Sequence, residues 1–306
     1  MKEFFPEGTQ RKKGGYTEAF LREAMQNEEI LEGVATLCDE EHNLTVDLGA
    51  IKGIILREEG ALGIKEGTTR DIALISRVGK SVCFTVSGFK EDEKGETVAL
   101  LSRRRAQEKY AEYIKENFKT GDIIEAKVTH LDSFGAFCDI GCGIAALLPI
   151  DCISVSRIAH PSDRFGVGAI IKTIIKGITD DGKITLSHKE LLGTWQENAG
   201  LFTVRQTVSG VVRSVEEYGI FVELSPNLAG LAESYEGVKA GDTVGVYIKN
   251  IIPEKMKVKL IITHICEEKY IPEVNYFYVG KHIDRFEYSP ESSDKKIYTE
   301  FAQEIY

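Results

Sequence analysis

Hydrophobic and polar residues alternate along most of this chain with a period of two, which is the spacing of a half-buried β-strand. The pattern occurs in three successive copies, each with five short apolar runs in about 70 residues. The clearest copy consists of GDIIEAKVTHLDSFGAFCDIGCGIAALLPI (121–150) and VGAIIKTIIKGITDDGKITLSHKE (167–190). The third copy starts at VSGVVRSVEEYGIFVELSPNLAGLAE (208–233), and the first at LEGVATLCDEEHNLTVDLGAIKGIILREE (31–59). Five short strands per copy predict small barrels, because closure leaves no unpaired sheet edge.

Between the copies the apolar spacing becomes helical. RRRAQEKYAEYIKENF (103–118) carries apolar residues three and four apart and has no glycine or proline. KELLGTWQENAGLF (189–202) predicts a second, shorter helix, and TEAFLREAMQNEE (17–29) predicts a leading helix with Thr17 as N-cap. The aromatic-rich tail EVNYFYVGKHIDRFEYSP (273–290) predicts a hairpin around Val279-Gly280-Lys281, whose rings pack against the third barrel.

These patterns predict seven segments along the chain. They are a helical lead-in (1–29), a degenerate barrel (30–103), a linker helix (104–119), the clearest barrel (120–190), a second linker helix (191–201), a third barrel (202–265), and a C-terminal aromatic hairpin and tail (266–306).

Composition describes an ordinary globular protein, with 42% hydrophobic and 28% charged residues among 306. No apolar run is long enough to span a membrane, and the N-terminus lacks the order of a secretory signal, which favours a cytoplasmic protein. The six cysteines form no CxxC pair, so we expect reduced thiols and no metal site.

No arrangement of residues indicates catalysis. The six histidines show no HExxH spacing, and no GxSxG, Walker or helix-opening GxGxxG motif occurs. The run His160-Pro161-Ser162-Asp163 joins catalytic residue types in sequence, but adjacency is not the geometry of a catalytic triad. We therefore expect a non-enzymatic protein without a cofactor.

The middle copy resembles the S1 RNA-binding domain, a five-stranded OB-type barrel. The residues that carry this resemblance are the FGAF element, the aliphatic ALLPI run and the closing hairpin GITDDGKITLS. The third copy is also similar, whereas the first is similar only through GVATL, GIIL and LLSRR. Over residues 30–265 the chain resembles short bacterial ribosomal-protein-S1-like proteins, which implies an all-β fold of tandem S1 barrels with linker helices.

The resemblance implies that both rings of each aromatic pair lie on the nucleic-acid surface. A bend at the intervening glycine interrupts the alternation of side chains between the two faces of the strand, so both rings can lie on one face. The alternative is that both rings lie in the barrel core. In the first copy the aromatic positions fall near Glu41 and Leu44, which cannot stack bases. The implied RNA-binding residues are Phe134, Phe137, Arg157, Lys172, Thr179 and Lys183 in the middle copy, and Tyr218, Phe221 and Lys257, flanked by Lys255 and Lys259, in the third.

This chain departs from the S1 pattern at several positions. Pro149 and Glu233 stand where the family often has histidine, and Lys183 replaces an arginine, which keeps the charge but loses the planar fork. The net charge of −10 also argues against broad electrostatic attraction to duplex DNA.

The sequence predicts single-stranded RNA, including mRNA, as the partner, with the ribosome as a further candidate and no membrane. The alternative is a protein-docking scaffold of the ribosome or an RNA-processing complex, with RNA binding incidental. A third possibility is a regulatory subunit of a nuclease or polymerase.

Overall fold

The computed structural model describes residues 4–9, 15–179 and 181–301 of the chain. Most of the secondary structure in these residues is β-strand, and fifteen strands form three closed five-stranded barrels. The predicted all-β fold of tandem barrels is therefore confirmed. The ends of the predicted lead-in and tail, residues 1–3 and 302–306, and residues 10–14 lie outside the described part.

Each barrel uses five consecutive strands. The first barrel contains β1 Leu31–Cys38, β2 Leu44–Asp47, β3 Lys52–Ile55, β4 Ser81–Glu91 and β5 Thr97–Ser102. The second contains β6 Ile123–Asp132, β7 Gly135–Asp139, β8 Ala145–Pro149, β9 Ile170–Ile178 and β10 Ile184–Ser187. The third contains β11 Thr207–Glu216, β12 Gly219–Ser225, β13 Leu228–Ala232, β14 Thr243–Ile252 and β15 Lys257–Ile265. In every barrel the third and fifth strands pair in parallel.

Alternation of side chains explains how these strands fill their barrels. In β15, Val258, Leu260 and Ile262 point into the core, whereas Lys257 and Lys259 are exposed. This period of two places apolar side chains inside and leaves one polar row on the outer wall. The outer wall of each barrel is therefore the surface that can carry function.

Four helices accompany the barrels in the described residues. They are α1 Glu18–Gln26, α2 Ile72–Ile75, α3 Arg103–Asn117 and α4 Trp195–Ala199. Thr17 caps α1 by accepting a hydrogen bond from the Phe20 N–H, as predicted. The apolar run at 189–202 does not form one helix, because Gly193 at φ 85° separates a 3₁₀ turn, Lys189–Leu192, from α4.

The chain divides into two compact units. The first contains residues 1–118 and 139–145, and the second contains residues 119–138 and 146–306. The third barrel, the tail and most of the second barrel therefore belong to one unit. None of the helices among the described residues is both long and apolar enough to cross a membrane.

The C-terminal tail differs from the predicted hairpin. Its two strands are β16 Arg285–Glu287 and β17 Tyr298–Glu300, and none of the described residues around Val279-Gly280-Lys281 is in a strand. The alternating aromatics do not form paired strands. Tyr276 and Tyr278 pack against a buried cluster that contains Ile174 of β9, Leu191, and the tail residues Ile283 and Phe301. The tail also reaches the third barrel, through Phe286 and Tyr288. Burial of the rings decided this conformation, which alternation in the sequence alone does not distinguish from a strand.

Candidate nucleic-acid interface

Two aromatic rings lie together at the β6–β7 hairpin. Phe134 is in the turn and 51% exposed, and Phe137, in the middle of β7, is half-buried. Their ring centroids are 5.8 Å apart and the ring planes meet at 89°. We call these residues the second-barrel ring pair. Both rings lie outside the core, which excludes the alternative of two core phenylalanines.

The reason both rings face outward differs from the predicted bend. Phe134 precedes the strand, so strand alternation does not apply to it, while Ala136 and Cys138 point inward on either side of Phe137. Gly135 serves a different purpose: a Cβ at this position would lie 2.5 Å from the Leu148 carbonyl oxygen. The glycine thus permits the close approach of β7 and β8 directly behind the rings.

The third barrel repeats this arrangement. Tyr218 is in the β11–β12 turn and 71% exposed, Phe221 is in β12, and their centroids are 6.2 Å apart at 87°. Gly219, at φ 147°, again allows a close approach, because its Cβ would lie 2.5 Å from the Ala232 carbonyl oxygen. We call Tyr218 and Phe221 the third-barrel ring pair.

Strand register places a lysine in line with the third-barrel ring pair. Phe221 pairs with Leu231, Leu231 pairs with Lys259, and all three side chains lie on the outer wall. Lys257, named from the sequence, is exposed two residues earlier on the same strand and face. Both lysines are therefore exposed on the wall that carries the rings, and Lys259 is in register with Phe221 through Leu231.

The corresponding row of the second barrel contains Thr185, which pairs with Leu147. Lys183, just before β10, is the equivalent of Lys257, and its side chain is 82% exposed. Its ammonium lies 2.6 Å from the Asp181 carboxylate. Hydrogen bonds from Lys183 and Thr179 hold the pKa of Asp181 down to about 2, and Asp181 in turn raises the pKa of Lys183.

Thr179 shapes the β9–β10 hairpin. Its hydroxyl oxygen accepts a hydrogen bond from the Lys183 N–H at 3.1 Å, and the hydroxyl donates to Asp181. The side chain therefore fixes the turn that presents Lys183, although it remains exposed.

Two other predicted residues lie away from the rings. Arg157 is exposed in a loop that binds the third barrel: the Ser156 N–H donates to the Pro226 carbonyl at 3.1 Å. Lys172 faces the tail, with its ammonium 5.5 Å from the centroid of the Tyr276 ring and its N–H donating to the Tyr276 hydroxyl. The rings, Thr179 and Lys183 thus lie on the outer wall of the second barrel. Arg157 and Lys172 do not lie beside the second-barrel ring pair.

The first barrel has no ring pair at these positions. Counting from the first inward residue of the second strand, the equivalents of Phe134 and Phe137 are His42 and Thr45. They are one residue later than the positions predicted from the sequence, and Leu44 is a core residue at 1% exposure. The turn is held by Asp39, which accepts hydrogen bonds from the Glu41 and Asn43 N–H groups.

Sequence reasoning missed His130. Its exposed ring is 6.2 Å from the Phe137 ring, with the planes inclined at 31°. The position of His130 near the end of β6, across the hairpin from Phe137, is the sequence feature that could have identified it. His130 extends the aromatic surface of the second barrel to three rings.

An acidic residue two positions beyond the second ring is buried in both barrels. Glu223 is fully buried, and its carboxylate accepts hydrogen bonds from the guanidinium groups of Arg213 and Arg164, the latter at 2.6 Å. The Arg213 guanidinium also lies 3.3 Å from the Asp163 carboxylate. We call Asp163, Arg164, Arg213 and Glu223 the inter-barrel charge cluster. It joins the loop before β9 to the outer wall of the third barrel. Arg164 is thus occupied by a carboxylate.

Asp139 is the equivalent acid in the second barrel. It accepts hydrogen bonds from the N–H groups of Glu7, Gly141 and Gly143, at 2.7, 2.8 and 3.0 Å. Burial, followed by the nearby Glu7 carboxylate, raises the pKa of Asp139 to about 6. This part of the outer wall is therefore closed to a ligand.

Residues 117–189 match the family model of the S1 RNA binding domain. The chain is 28% identical over 251 residues to small ribosomal subunit protein bS1 of Leuconostoc lactis, covering 74% of this chain and 57% of the relative. It is 29% identical over 261 residues to bS1 of Staphylococcus aureus (strain COL), covering 80% and 64%.

Among solved structures, a multidomain protein with nucleic acid binding domains from Streptococcus pneumoniae matches 78% of this chain and 74% of its own, with 13% identity and a TM-score of 0.25. The chain spans 57% and 64% of the length of the two bS1 relatives. The resemblance to the S1 RNA-binding domain family is confirmed, because residues 117–189 match that family's model.

Proposed function

We propose that this chain binds single-stranded RNA on the outer walls of its second and third barrels, without catalysing a reaction. The observation that carries the proposal is the recurrence of one arrangement: an exposed ring in the turn, a glycine, and a second outward ring. Every base has a π-face, so exposed rings suit single strands, and stacking contributes about 1–3 kcal/mol per base. The S1 match over residues 117–189 supports the same function.

The perpendicular ring geometry favours unstacked, splayed bases. Because the Phe134 and Phe137 planes meet at 89°, one flat base cannot stack on both. Each ring would instead receive its own base, with the strand turning between them. Such a path is possible for a flexible single strand and not for a duplex, in which the bases remain stacked on each other.

Local lysines would supply the contacts with phosphate. Lys183, Lys257 and Lys259 lie on the same walls as the rings and are exposed. Phosphate must compete with Asp181 for Lys183, which makes this contact weaker than a free lysine would give. Few contacts imply a shallow salt dependence, since each contributes about 0.7 to the slope for a single strand.

Two ring pairs in one chain would raise the affinity above that of either alone. The inter-barrel charge cluster joins the second and third barrels, so binding at one ring pair places the same RNA near the other. Linked sites of this kind gain affinity through effective concentration.

A role with mRNA in translation, at the ribosome and in the cytoplasm, belongs to the same proposal. Its support is the sequence relationship to small ribosomal subunit protein bS1 over 74–80% of this chain.

The test is titration of a fluorescent single-stranded RNA at two salt concentrations. The double variant Phe134→Ala, Phe137→Ala should lose most of the binding, and Tyr218→Ala, Phe221→Ala should also weaken it, by about 1–3 kcal/mol for each base that no longer stacks. Tyr298→Ala is the matched control, because this ring is 55% exposed but belongs to the tail. Wild-type affinity in both double variants would contradict the proposal.

A second candidate function is docking to a protein partner in the ribosome or an RNA-processing complex. It is favoured by the first barrel, whose equivalent positions carry His42 and Thr45 instead of a ring pair. A variant with all four rings changed to alanine separates the two functions. Co-sedimentation with ribosomes that survives these changes supports docking by protein contacts, whereas its loss supports RNA binding.

A further inference from the structure

A cleft of about 340 Å³ opens beside the inter-barrel charge cluster. Its walls come from the loop before β9, the middle of β11 and the beginning of β14 in the third barrel, and the start of the tail. The lining includes Ser162, Arg164, Arg213, Thr243, Lys269 and Tyr270. The volume lies in the range of small-ligand sites and is sufficient for one nucleotide unit.

Basic residues outnumber acidic ones in the lining of the cleft. The lining contains three basic residues, Arg164, Arg213 and Lys269, and one acidic residue, Asp163. Glu223 contacts the two arginines, and burial, followed by the nearby Glu273 carboxylate, raises the pKa of Tyr270. The pairing of Glu223 with both arginines fixes their positions before any ligand arrives.

Arg164 carries donors that the described residues do not satisfy. Its side chain is 1% exposed, and its Nε and Nη1 atoms have no hydrogen-bond partner among those residues. A buried charged group with unpaired donors is costly, and a nearby anion lowers that cost. Since these atoms are enclosed, Arg164 would act on a ligand through its charge and not through direct contact.

Direct contacts are available from side chains at the mouth of the cleft. Lys269 is exposed, and none of the described residues forms a hydrogen bond or ion pair with its side chain. Tyr270 is 37% exposed beside it, and its N–H donates to the Thr243 hydroxyl at 2.9 Å, which fixes the start of the tail on β14. A lysine and a tyrosine at the mouth offer an ammonium for a phosphate and a ring for the attached nucleoside.

The cleft lies next to the third-barrel ring pair. Arg213 is at the β-bulge of β11, between the residues that pair with Val222 and Phe221. Glu223 is two residues beyond Phe221 on the same outer wall, about 7 Å along the strand. An RNA strand stacked on Phe221 is therefore within about one nucleotide of the cleft.

We propose that this cleft binds a phosphate group of the RNA strand whose bases stack on the third-barrel ring pair. The inference rests on the proposed RNA-binding function. It adds a contact in which Lys269 touches the phosphate, and Arg213 and Arg164 supply fixed positive charge behind it.

The test compares two charge reversals in the tail by RNA titration across a salt series. Lys269→Glu should weaken binding and make the slope of log K against log salt shallower by about 0.7, the loss of one phosphate contact. Lys281→Glu is the matched control, since Lys281 is an exposed tail lysine outside the cleft. This control should retain the wild-type affinity and slope, apart from a small uniform effect of the net charge.

The RNA in each titration carries either a 5′-phosphate or a 5′-hydroxyl. A preference for the 5′-phosphate that Lys269→Glu abolishes places a terminal phosphate in the cleft. Equal weakening of both RNAs by Lys269→Glu places an internal phosphodiester there. Both results support the site and separate the two sources of phosphate.

The inference is overturned if Lys269→Glu and Lys281→Glu give the same affinity and slope while the ring variants lose binding. In that case RNA binding stands and the cleft has no part in it. If the ring variants bind RNA like the wild type, the proposed function itself fails.

Discussion

Each ring pair has a glycine directly after its first aromatic residue. Gly135 and Gly219 both follow the ring in the turn, and at each a Cβ would lie 2.5 Å from a carbonyl oxygen of the neighbouring strand. The absence of a side chain lets that strand pass directly behind the rings. The ring pairs therefore rest on tightly packed backbone, which limits how far they can move when bases bind.

Gly135→Ala should lower the free energy of unfolding by about 1–3 kcal/mol, because the added methyl overpacks against the Leu148 carbonyl and the Pro149 backbone. Urea unfolding of the whole chain measures the change. Gly177→Ala in β9 is the matched control, since a Cβ there has nothing within 4 Å. We expect the control to be neutral or up to about 1 kcal/mol more stable, because alanine restricts the unfolded chain. Equal effects of the two substitutions would contradict this account of Gly135.

At the scale of elements, His188 joins the end of β10 to a loop and to the tail. It is fully buried, with its Nδ1 2.8 Å from the Ile153 carbonyl oxygen and its Nε2 3.3 Å from the Tyr276 hydroxyl. The carbonyl can only accept, so Nδ1 carries the proton and Nε2 accepts from the tyrosine. Burial lowers the pKa of His188 to about 4, which keeps the ring neutral.

This burial predicts a pH dependence of stability. Between about pH 4 and the ordinary value of 6.5, the unfolded chain protonates His188 while the native state does not. The free energy of unfolding should therefore rise with pH across this window, and about 3 kcal/mol should be lost as the pH falls through it. Urea unfolding at pH 4.5, 5.5 and 6.5 measures the slope.

His188→Gln should reduce that slope relative to the wild type, since glutamine does not titrate. His264→Gln, a change of an exposed histidine, is the matched control. The comparison of slopes is needed because Asp139, with its raised pKa, contributes with the opposite sign below pH 6. An unchanged slope in His188→Gln would show that its ring is protonated in the native state.

At the scale of the whole molecule, the inter-barrel charge cluster joins two barrels that each carry a ring pair. Glu223 is fully buried between Arg164 and Arg213, whose side chains are 1% and 10% exposed. The contact joins segments 59 residues apart, since Arg164 precedes β9 and Glu223 lies in β12. Such a buried pair holds the barrels in register more than it stabilises them, because desolvation offsets much of the attraction.

Removing one partner of this cluster should be costly. Glu223→Gln removes the carboxylate that Arg164 and Arg213 share, and Arg213 alone keeps a second one, that of Asp163. The substitution should lower the free energy of unfolding by about 3–5 kcal/mol. Thermal and urea unfolding measure this change. Glu233→Gln is the matched control, because its side chain is 83% exposed and 3.7 Å from Lys249, so we expect a change below about 1 kcal/mol. A small effect of Glu223→Gln would mean that the buried arginines find other partners.

The sequence predicts the repeat and the positions of the ring pairs correctly, because both are patterns of residues close together in the chain. Alternation, helical spacing and the order ring-glycine-x-ring are properties of neighbouring residues, and backbone geometry converts them directly into strands, helices and turns. The face of Phe134 was predicted correctly from the resemblance, but for the wrong reason: a turn and not a bend in the strand exposes it. The hairpin predicted around Gly280 was wrong, since burial of Tyr276 and Tyr278 overrides their alternation.

The number of barrels, their strands and the positions of the rings therefore follow from the order of residues alone. Three features follow only from the folded chain: Arg164 is enclosed by a carboxylate, Lys172 faces the tail, and Lys269 lines a cleft. The physical reason is that charge interactions and desolvation depend on distances between residues far apart in the chain. An exposed and a buried arginine look the same in sequence, and folding alone distinguishes them.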